Sequence, residues 1–515
     1  MLSCSDQLGS PRPRRVILRF LGATFGVLRD HLAANPDCEQ FAFLLALPVE
    51  TADGLLLLVQ DVFLPGPGDL LVQTAGRVEP TPEFQALVYC VAEQKGLTIV
   101  DVHTHVTGGR PSFSAMDRTV AARNAPYIAG RFEPPTTLGL VVFNRDATAH
   151  DAMVFDRERG EFEPISELQI VGPGLDTRPT RAPSGALALD ERYARQRLIP
   201  GWNQTALANL RIGIVGLGGH GAQLLQTTVS IGLGSDAWIV GIDPDVVEPS
   251  NVPRIPYATP ADIGRPKVDV AADSVRRKNP ATTFLGYPCS VTDPAALARL
   301  RACDVLFGCG DNDGVRLVLN DLAVRFGIPL IDLGADIRIS AEAVEAGGQL
   351  RVVVPDTTGC LACCGAFDPG QAALDLLGDD DRAVYERRGY VIGTDAGPTP
   401  SVAVLNTLIA QHAVTALLAL IGSGPFTRQD YRHVDWLTGR TLVAASARNP
   451  DCPACGERGF LLSGIDANLA PADTEPSWRP VTVSKGRCSK RLSRKSVQLQ
   501  GERHDSTSGR SGSHE

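Results

Sequence analysis

A glycine-rich turn between an apolar segment and a helix-like segment, "RIGIVGLGGHGAQLL" at residues 211–225, most constrains the fold. A strand, a glycine turn and a helix in this order normally pack into a sheet that carries helices on both faces. Further apolar segments, "DAWIVGID", "DVLFGCGDN" and "IPLIDLGA", alternate with helical stretches after it. The pattern predicts a Rossmann-like, doubly wound α/β domain over residues 191–465.

The glycines of this turn predict a phosphate-binding loop. Gly216, Gly218, Gly219 and Gly221 would let backbone N–H groups approach an anion at the positive end of the helix dipole. Asp243 ends the next strand, at a position suited to a ribose hydroxyl. These residues alone fit either NAD or ATP.

The segment after Asp243 favours ATP. It places Asn251, Arg254 and Lys267 close together in sequence. Hydride transfer does not need clustered phosphate-binding side chains, whereas attack on an α-phosphate does, because negative charge must be neutralised as pyrophosphate leaves. Asp311 follows a later strand, where a carboxylate can hold Mg²⁺ against phosphate oxygens.

Two Cys-x-x-Cys pairs predict a structural zinc site. Cys360 and Cys363 form one pair, and Cys452 and Cys455 form the other about ninety residues later. Four thiolates in a tetrahedral array close a zinc site, and a redox pair is the alternative. Twelve cysteines in 515 residues are too few for a disulfide scaffold, so we expect a reducing, cytoplasmic compartment.

Over about 270 residues these motifs resemble the ubiquitin-activating-like adenylyltransferases of the ThiF/MoeB type. "RYARQ" resembles the family's Arg-Tyr-x-Arg-Gln, which implies that Arg195 reaches the nucleotide site of a partner subunit in a homodimer. The resemblance implies ATP-dependent adenylation of the C-terminal glycine of a ubiquitin-like or sulfur-carrier protein. It also implies ribose contact at Asp243, phosphate contact at Asn251, Arg254 and Lys267, and Mg²⁺ at Asp311.

One family feature is absent from the sequence. Members that form a thioester or persulfide usually carry a cysteine shortly before the helix that here begins "SVAVLNTLIAQ", and "YVIGTDAGPTPSV" contains none. Three alternatives stay open. Cys364 or another residue serves as the nucleophile, the reaction stops at the adenylate, or Cys364 is a packed or additional zinc thiol.

A second motif lies in residues 15–168, where several strand-like segments accompany one long helix, "TPEFQALVYCVAEQ". "DVHTHVTGG" places His103 and His105 on one face of a strand, and Asp117 follows at a helix start. Two imidazoles and a carboxylate, with the fourth position open, are the ligands of a catalytic zinc site. Solvated or core histidines are the alternative.

The remaining groups of such a site can also be assigned. A general base is needed, and Glu39, just before the strand "FAFLLAL", is the first choice. Asp101 is the rival because it shares a strand face with both histidines. Ser114 could both cap the helix and donate to an oxyanion.

A strand-borne Glu, His-x-His and Ser-x-x-Asp together resemble the signature of JAMM/MPN (JAB) metallopeptidases. The resemblance implies an α+β, cytidine-deaminase-like three-layer domain. It implies Glu39 as base, His103, His105 and Asp117 as ligands of a catalytic zinc ion, and Ser114 as stabiliser of the tetrahedral intermediate. Two departures are the eight residues between His105 and Ser114, where seven are commoner, and Val106 in place of a frequent proline.

The sequence therefore predicts a fusion of two enzymes, with a linker at residues 169–190 and a disordered basic tail at 470–515. The net charge is −9 despite this tail, and the acidic body argues against nucleic-acid binding. No apolar run approaches bilayer length, so we expect no membrane span.

The fusion resembles bacterial JAB–ThiF proteins of ubiquitin-like modification systems. This implies that the chain trims or deconjugates a ubiquitin-like protein and activates its C-terminus, with a ubiquitin-conjugating-like enzyme as a further partner. Two alternatives remain. One is sulfur-carrier activation for cofactor or amino-acid biosynthesis, and the other is a JAMM half that only docks partners.

Overall fold

The computed structural model describes residues 14–181, 190–377 and 400–464. The predicted tail at 470–515 and most of "YVIGTDAGPTPSV" lie outside the described residues. We call residues 14–181 the N-terminal domain and the described residues from 190 onward the C-terminal domain. Each is built on one large sheet.

The N-terminal sheet has nine strands. They are β1 (Arg15–Leu21), β2 (Phe41–Thr51), β3 (Gly54–Phe63), β6 (Thr98–His105), β7 (Leu138–Asn144), β8 (His150–Asp156), β9 (Glu161–Pro164), β10 (Glu167–Val171) and β11 (Leu175–Pro179). Their order across the sheet is β11-β10-β1-β3-β2-β6-β7-β8-β9. A separate hairpin consists of β4 (Leu70–Thr74) and β5 (Arg77–Pro80). The strand predictions for β2, β3, β6, β7 and β8 are confirmed.

Helices cover both faces of this sheet. They are α1 (Gly22–Leu32), α2 (Pro82–Lys95) and α3 (Ala115–Arg131). Helix α1 buries Phe25 and Leu28 in the hydrophobic cluster of one face. Helices α2 and α3 bury Val88, Ala125 and Ile128 in the cluster of the other. The domain is therefore a three-layer sandwich, in agreement with the predicted layer arrangement.

Helix α1 was not expected from the sequence. It contains two glycines, lacks a side-chain cap and follows β1 without a turn, so its local signals are weak. Its apolar face is buried because α1 directly follows β1 and packs against the sheet.

The predicted domain end at residue 168 is wrong, and so is the first half of the predicted linker at 169–190. Strand β10 pairs in parallel with β1, and β11 pairs antiparallel with β10, so the chain stays in the sheet as far as Pro179. The glycines of "GPG" at 172–174 form the turn between the two strands. A Cβ at Gly174 would lie 2.8 Å from the carbonyl oxygen of Leu420. The glycines of this turn, which suggested a linker, allow it to pack closely against the other domain.

The C-terminal sheet has eight strands. They are β12 (Arg211–Val215), β13 (Trp238–Ile242), β14 (Phe284–Tyr287), β15 (Val305–Gly308), β16 (Leu330–Ile339), β17 (Val344–Val353), β18 (Tyr431–Asp435) and β19 (Thr441–Ala444). Strands β12 to β16 run parallel in the order β14-β13-β12-β15-β16, and β17 to β19 extend the sheet antiparallel. This confirms the predicted doubly wound, Rossmann-like architecture.

The helices of the C-terminal domain connect and cover these strands. They are α4 (Gln204–Asn209), α5 (Gly219–Ser230), α6 (Lys267–Lys278), α7 (Pro294–Leu300), α8 (Asp313–Phe326), α9 (Pro369–Asp375) and α10 (Ala403–Leu420). Short 3-10 turns at Glu191–Tyr193, Gln196–Leu198 and Pro260–Asp262 complete the described elements.

Within the described ranges, α10 is the one helix whose length and apolar composition would suffice to cross a membrane. It is longer than the ten-residue apolar run "AVTALLALIG" at residues 413–422. It buries Leu405, Ile409 and Leu417 in the cluster shared with α5 and the strands. Since a buried core helix passes the same test, the finding is weak evidence for a membrane span.

The two domains pack directly on each other. Leu56 and Leu58 of β3 lie in the same hydrophobic cluster as Leu300 and Phe326 of the C-terminal domain. At the centre of this contact the buried Arg19 guanidinium donates to the carbonyl oxygens of Phe326, at 2.8 Å, and Cys303, at 3.2 Å. The contact is therefore a shared core rather than a flexible junction.

Candidate active sites

The glycine loop is shaped by close backbone contacts at the carboxyl end of β12. Gly216 has φ +90°, and a Cβ there would lie 2.8 Å from the backbone of Cys309. A Cβ at Gly221 would lie 1.8 Å from the carbonyl oxygen of Gly216. Only glycine fits these two positions. Gly216 thus packs against the end of β15, and the start of α5 packs against Gly216.

The loop occupies the point where the strand order reverses. Strand β12 is followed by β13 and β14 on one side, and the chain then crosses to β15 and β16 on the other. In doubly wound sheets, ligands bind in the crevice at the carboxyl ends of the strands on either side of such a reversal.

Asp243 and Lys267 meet beside the loop. One Asp243 oxygen accepts from the backbone N–H of Leu217 at 2.6 Å, and burial raises the pKa of this carboxyl group. The Lys267 Nζ donates to Asp245 at 2.6 Å and lies 3.6 Å from Asp243. The predicted ribose and phosphate residues are thus adjacent, with Lys267 paired to carboxylates in this structure.

The loop after β13 carries Asn251 and Arg254. The Asn251 side chain accepts from the backbone N–H of Glu248 at 3.2 Å and shapes this loop. The Arg254 Nε atom is buried without a hydrogen-bond partner, and so is the Tyr257 hydroxyl. Both polar atoms therefore remain available to a ligand.

Asp311 lies exposed in the loop between β15 and α8. Behind it, Arg316 of α8 points its Nε toward the buried carboxylate of Asp332, 3.5 Å away, without forming a hydrogen bond. Burial raises the pKa of Asp332 to about 6. The predicted magnesium residue is therefore near the half-buried Arg316, which no sequence motif marks.

Arg195 does not join this crevice by any described contact. It is exposed at the start of the 3-10 turn Gln196–Leu198, beside Leu198, which is 82% exposed. An exposed position is compatible with the predicted reach into a second subunit.

The crevice fits ATP by the chemistry of its unsatisfied groups. Buried polar groups without partners cost free energy, and the unpartnered nitrogens of His220 and Arg254 belong to two separate segments of this site. Nitrogen donors and a helix N-terminus suit phosphate oxygens, and the exposed carboxylate of Asp311 suits Mg²⁺.

In the N-terminal domain, β6 and α3 bring His103, His105 and Asp117 together. The Nε2 atoms of the two histidines lie 3.3 Å apart. That of His103 is 3.5 Å from Asp117 Oδ1, and that of His105 is 3.5 Å from Asp117 Oδ2. Zinc–ligand bonds of about 2.0–2.1 Å in a tetrahedron require ligand atoms about 3.3 Å apart. The three predicted ligands therefore have the spacing that one zinc ion needs.

Strand register brings Glu39 to the same site. Strands β2 and β6 are antiparallel with Phe41 opposite His103, so Glu39 falls opposite His105 on the same face. Burial raises the pKa of the Glu39 carboxyl group, while the nearby His103 and His105 lower it. Glu39 is thus placed where the predicted base should be.

Asp101 is in a different environment. It lies opposite Phe43, one of its oxygens is buried without a partner, and burial raises its pKa to about 7. The charge of Asp101 acts on Tyr89, whereas Glu39 feels the charges of His103, His105 and Asp117. The structure therefore favours Glu39 over Asp101 as the base.

Ser114 and Asp117 form a capping box at the start of α3. The Ser114 hydroxyl accepts from the Asp117 N–H at 3.1 Å, and one Asp117 oxygen accepts from the Ser114 N–H at 2.7 Å. Burial acts to raise the pKa of Asp117, but hydrogen bonds from His103 and His105 hold it well below its usual range. The cap fixes the direction of the carboxylate.

The four cysteines of the two Cys-x-x-Cys pairs converge as predicted. The sulfur atoms of Cys360 and Cys363 are 3.8 Å apart, those of Cys360 and Cys452 3.6 Å, and those of Cys363 and Cys455 3.4 Å. A zinc ion with bonds of about 2.3 Å needs sulfurs about 3.8 Å apart. The cluster therefore fits structural zinc.

Cys364 lies beside this cluster but outside the four-sulfur group. Its side chain is exposed, and its Sγ is 3.0 Å from the hydroxyl of Ser446. This exposure leaves the thiol accessible, which a nucleophile requires.

Two features of the sites were missed from the sequence. One is His220 within "GLGGHG". An imidazole in a predicted phosphate-binding loop could have marked it as a candidate ligand contact. The other feature is the β4–β5 hairpin, where Thr74 accepts from the Glu39 N–H at 2.8 Å and Gln73 donates to the Glu39 carbonyl at 3.2 Å. No local pattern marks that contact.

The sequence model of the ThiF family matches residues 192–454, just over half of the chain. Mouse (Mus musculus) "adenylyltransferase and sulfurtransferase MOCS3" is 31% identical over 304 residues, 58% of this chain and 58% of its own length. The chain thus spans little more than half of that relative. The "sulfur carrier protein adenylyltransferase" of Thermus thermophilus is 30% identical over 54% of this chain and 94% of its own length.

Among solved structures, E. coli MccB with ATP has a TM-score of 0.40 at 20% identity, over 52% of this chain and 75% of that chain. The family match spans the whole crevice described above and both cysteine pairs except Cys455. This chain belongs to the ThiF family.

Proposed function

We propose that this chain uses ATP to adenylate the C-terminal carboxylate of a ubiquitin-like or sulfur-carrier protein. The observation that carries the proposal is the set of buried, unpartnered nitrogen donors at the strand-reversal crevice. Membership of the ThiF family and the adenylyltransferase names of the mouse and Thermus relatives support the reaction.

The reaction needs charge neutralisation and no net proton transfer. A carboxylate oxygen of the carrier bonds to the α-phosphorus, while the bond from that phosphorus to the bridging oxygen breaks and pyrophosphate leaves with the electron pair. Arg254 and Lys267 stabilise the growing charge, and Lys267 must exchange its pair with Asp245 to do so. Mg²⁺ beside Asp311 would neutralise further phosphate charge.

The test is ATP–pyrophosphate exchange in the presence of a ubiquitin-like protein that ends in glycine. Asp311→Ala should abolish exchange and leave peptidase activity intact. Asp336→Ala, at an exposed carboxylate of β16 paired with Arg338, is the matched control and should retain the wild-type rate. Joint loss of both activities in Asp311→Ala would argue against independent sites.

The product distinguishes the two uses of an adenylated carrier. Intact mass spectrometry of both chains after incubation with ATP and sulfide would show a thiocarboxylate in sulfur transfer, because sulfide displaces AMP from the acyl-adenylate. It would show a thioester or an isopeptide-linked product in protein modification, with a conjugating enzyme as partner. The MOCS3 and Thermus relatives favour the sulfur-carrier route. A thioester that disappears in Cys364→Ser would assign the nucleophile.

We further propose that the molecule acts as a homodimer, with Arg195 entering the nucleotide crevice of the second subunit. Its exposed position supports this. In mixed dimers, an Arg195→Ala subunit should restore activity to an Asp311→Ala subunit, because both defects then fall in one crevice and the other crevice is intact. An active monomer in analytical ultracentrifugation would contradict the proposal.

A second proposal concerns the N-terminal domain, which we infer to be a zinc peptidase of the JAMM type that trims or deconjugates the same carrier. The tetrahedral spacing at His103, His105 and Asp117 supports it. Zinc held by these residues would supply a Lewis acid that polarises the scissile carbonyl. Glu39 takes the proton of the attacking water, and Ser114 donates to the developing oxyanion.

The test is cleavage of a carrier protein extended beyond its terminal glycine. Glu39→Gln should lower the rate at least a hundredfold with unchanged zinc content by mass spectrometry, since the variant keeps all three ligands. Glu50→Gln, at the exposed end of β2, is the control and should cleave normally. Zinc binding without cleavage by the wild type would favour a docking domain.

A further inference from the structure

His220 lies in the candidate nucleotide crevice, and none of the sequence motifs gives it a role. It is the second residue of α5, directly after the glycine loop. The first N–H groups of a helix have no intrahelical acceptor, and they carry the positive end of the helix dipole. A side chain at this position would lie beside a phosphate group bound by such a loop.

The imidazole of His220 has an unsatisfied ring nitrogen. Its Nε2 atom is buried and has no hydrogen-bond partner. The Nε atom of Arg254, on the loop after β13, is buried and unpartnered in the same way, whereas that of Arg316, on α8, faces the Asp332 carboxylate 3.5 Å away. Two elements thus each offer a free nitrogen, and burial without a partner is costly for both of them. A shared acceptor would satisfy both.

The charges around His220 determine its protonation state. Burial, together with the cations Arg254 and Arg316, lowers the pKa of His220 to about 4, while the carboxylate of Asp311 acts in the opposite direction. The imidazole is therefore neutral at physiological pH, and one ring nitrogen carries a proton. A neutral N–H donor adds a hydrogen bond to an anion without placing a third cation beside two arginines.

We propose that His220 binds a phosphate oxygen of ATP through its Nε2–H group. The inference rests on the proposed use of ATP, and it adds a binding residue beyond Arg254 and Lys267. It does not depend on the identity of the carrier protein. The acceptor is a phosphate oxygen because His220 follows the glycine loop at the N-terminus of α5, and the nearby cations Arg254 and Arg316 favour an anion there.

The experiment measures binding of ATP, AMP and adenosine to the full chain by isothermal titration calorimetry with Mg²⁺. His220→Leu removes the donor but keeps an apolar side chain, and His220→Gln restores an N–H donor at similar reach. We expect His220→Leu to weaken ATP binding ten- to hundredfold and to leave adenosine binding within twofold. His220→Gln should recover most of the loss. His433→Leu, on the distant strand β18, should bind like the wild type.

AMP binding shows which phosphate group of ATP His220 contacts. Weaker AMP binding places the acceptor on the α-phosphate, and unchanged AMP binding places it on a later phosphate. Wild-type ATP affinity in His220→Leu would overturn the inference. So would equal losses in the Leu and Gln variants, or a matching loss for adenosine, since these indicate a packing role. Failure of the wild type to bind ATP would overturn both this inference and the proposed function. ATP binding without adenylation of any carrier would overturn only the latter.

Discussion

At the scale of single residues, buried titratable groups connect the structure to pH. His150 on β8 is 3% exposed, and its Nε2 lies 3.0 Å from the Thr180 hydroxyl. Burial, with help from the nearby cations Arg110 and Arg178, lowers the pKa of His150 to about 4 from an ordinary value of 6.5. The folded protein therefore holds this histidine neutral under conditions in which the unfolded chain would protonate it.

This difference predicts acid destabilisation. Between pH 6.5 and 4 the unfolded chain binds a proton at His150 that the folded protein does not, so the free energy of unfolding falls as the pH falls. The contribution is complete above pH 6.5, and about 2 kcal/mol of it is lost by pH 5. In urea unfolding at pH 7.5 and pH 5, His150→Gln should lose about 2 kcal/mol less than the wild type. Equal pH dependence in the two proteins would refute this assignment.

At the scale of elements, the start of α3 combines two roles that a single substitution would mix. Ser114 caps the helix and orients Asp117 through the capping box, and the proposal also makes its hydroxyl an oxyanion donor. An asparagine at this position can still cap a helix but supplies no hydroxyl.

We therefore expect Ser114→Ala to lower the free energy of unfolding by about 1 kcal/mol and Ser114→Asn to change it by only a few tenths. Both variants should slow cleavage of an extended carrier, because both lack the hydroxyl group. Chemical unfolding and the cleavage rate measure the two effects separately. Normal cleavage by Ser114→Asn would reduce the role of Ser114 to capping.

At the scale of the whole molecule, buried polar contacts join the two domains. Arg211 of β12 pairs with Glu167 of β10 at 2.8 Å and with Asp304. Arg19 of β1 donates to two C-terminal backbone carbonyls and to the Gln169 side chain. Removing one partner of such a network leaves the others buried and unsatisfied.

Arg19→Leu should therefore lower the free energy of unfolding by roughly 3 kcal/mol or more and split thermal unfolding into two transitions. The wild type should unfold in one transition by differential scanning calorimetry, because its domains share a core. Arg29→Leu, at an exposed arginine of α1 paired with Asp30, should leave the transition unchanged. A single transition of wild-type midpoint in Arg19→Leu would show that the contact does not couple the domains.

Much of both sites could be predicted because their residues are close in sequence. The glycine loop, His103 with His105 and each Cys-x-x-Cys pair are defined by spacings within one strand end or turn, and those spacings have few local geometries. The clustering of His103, His105 and Asp117, and that of the four cysteines, also agrees with the sequence prediction.

The sequence by itself determined which candidate site residues each half of the chain contains, since residue type, glycine spacing and apolar periodicity act locally. Only the tertiary structure decided how distant segments meet. It placed Glu39, not Asp101, beside the histidines through the β2–β6 register, and it kept residues 167–179 in the N-terminal sheet. It also left His220 unpartnered in the crevice and joined both domains in one core. These outcomes depend on contacts between segments far apart in the chain, whose energies no local pattern records.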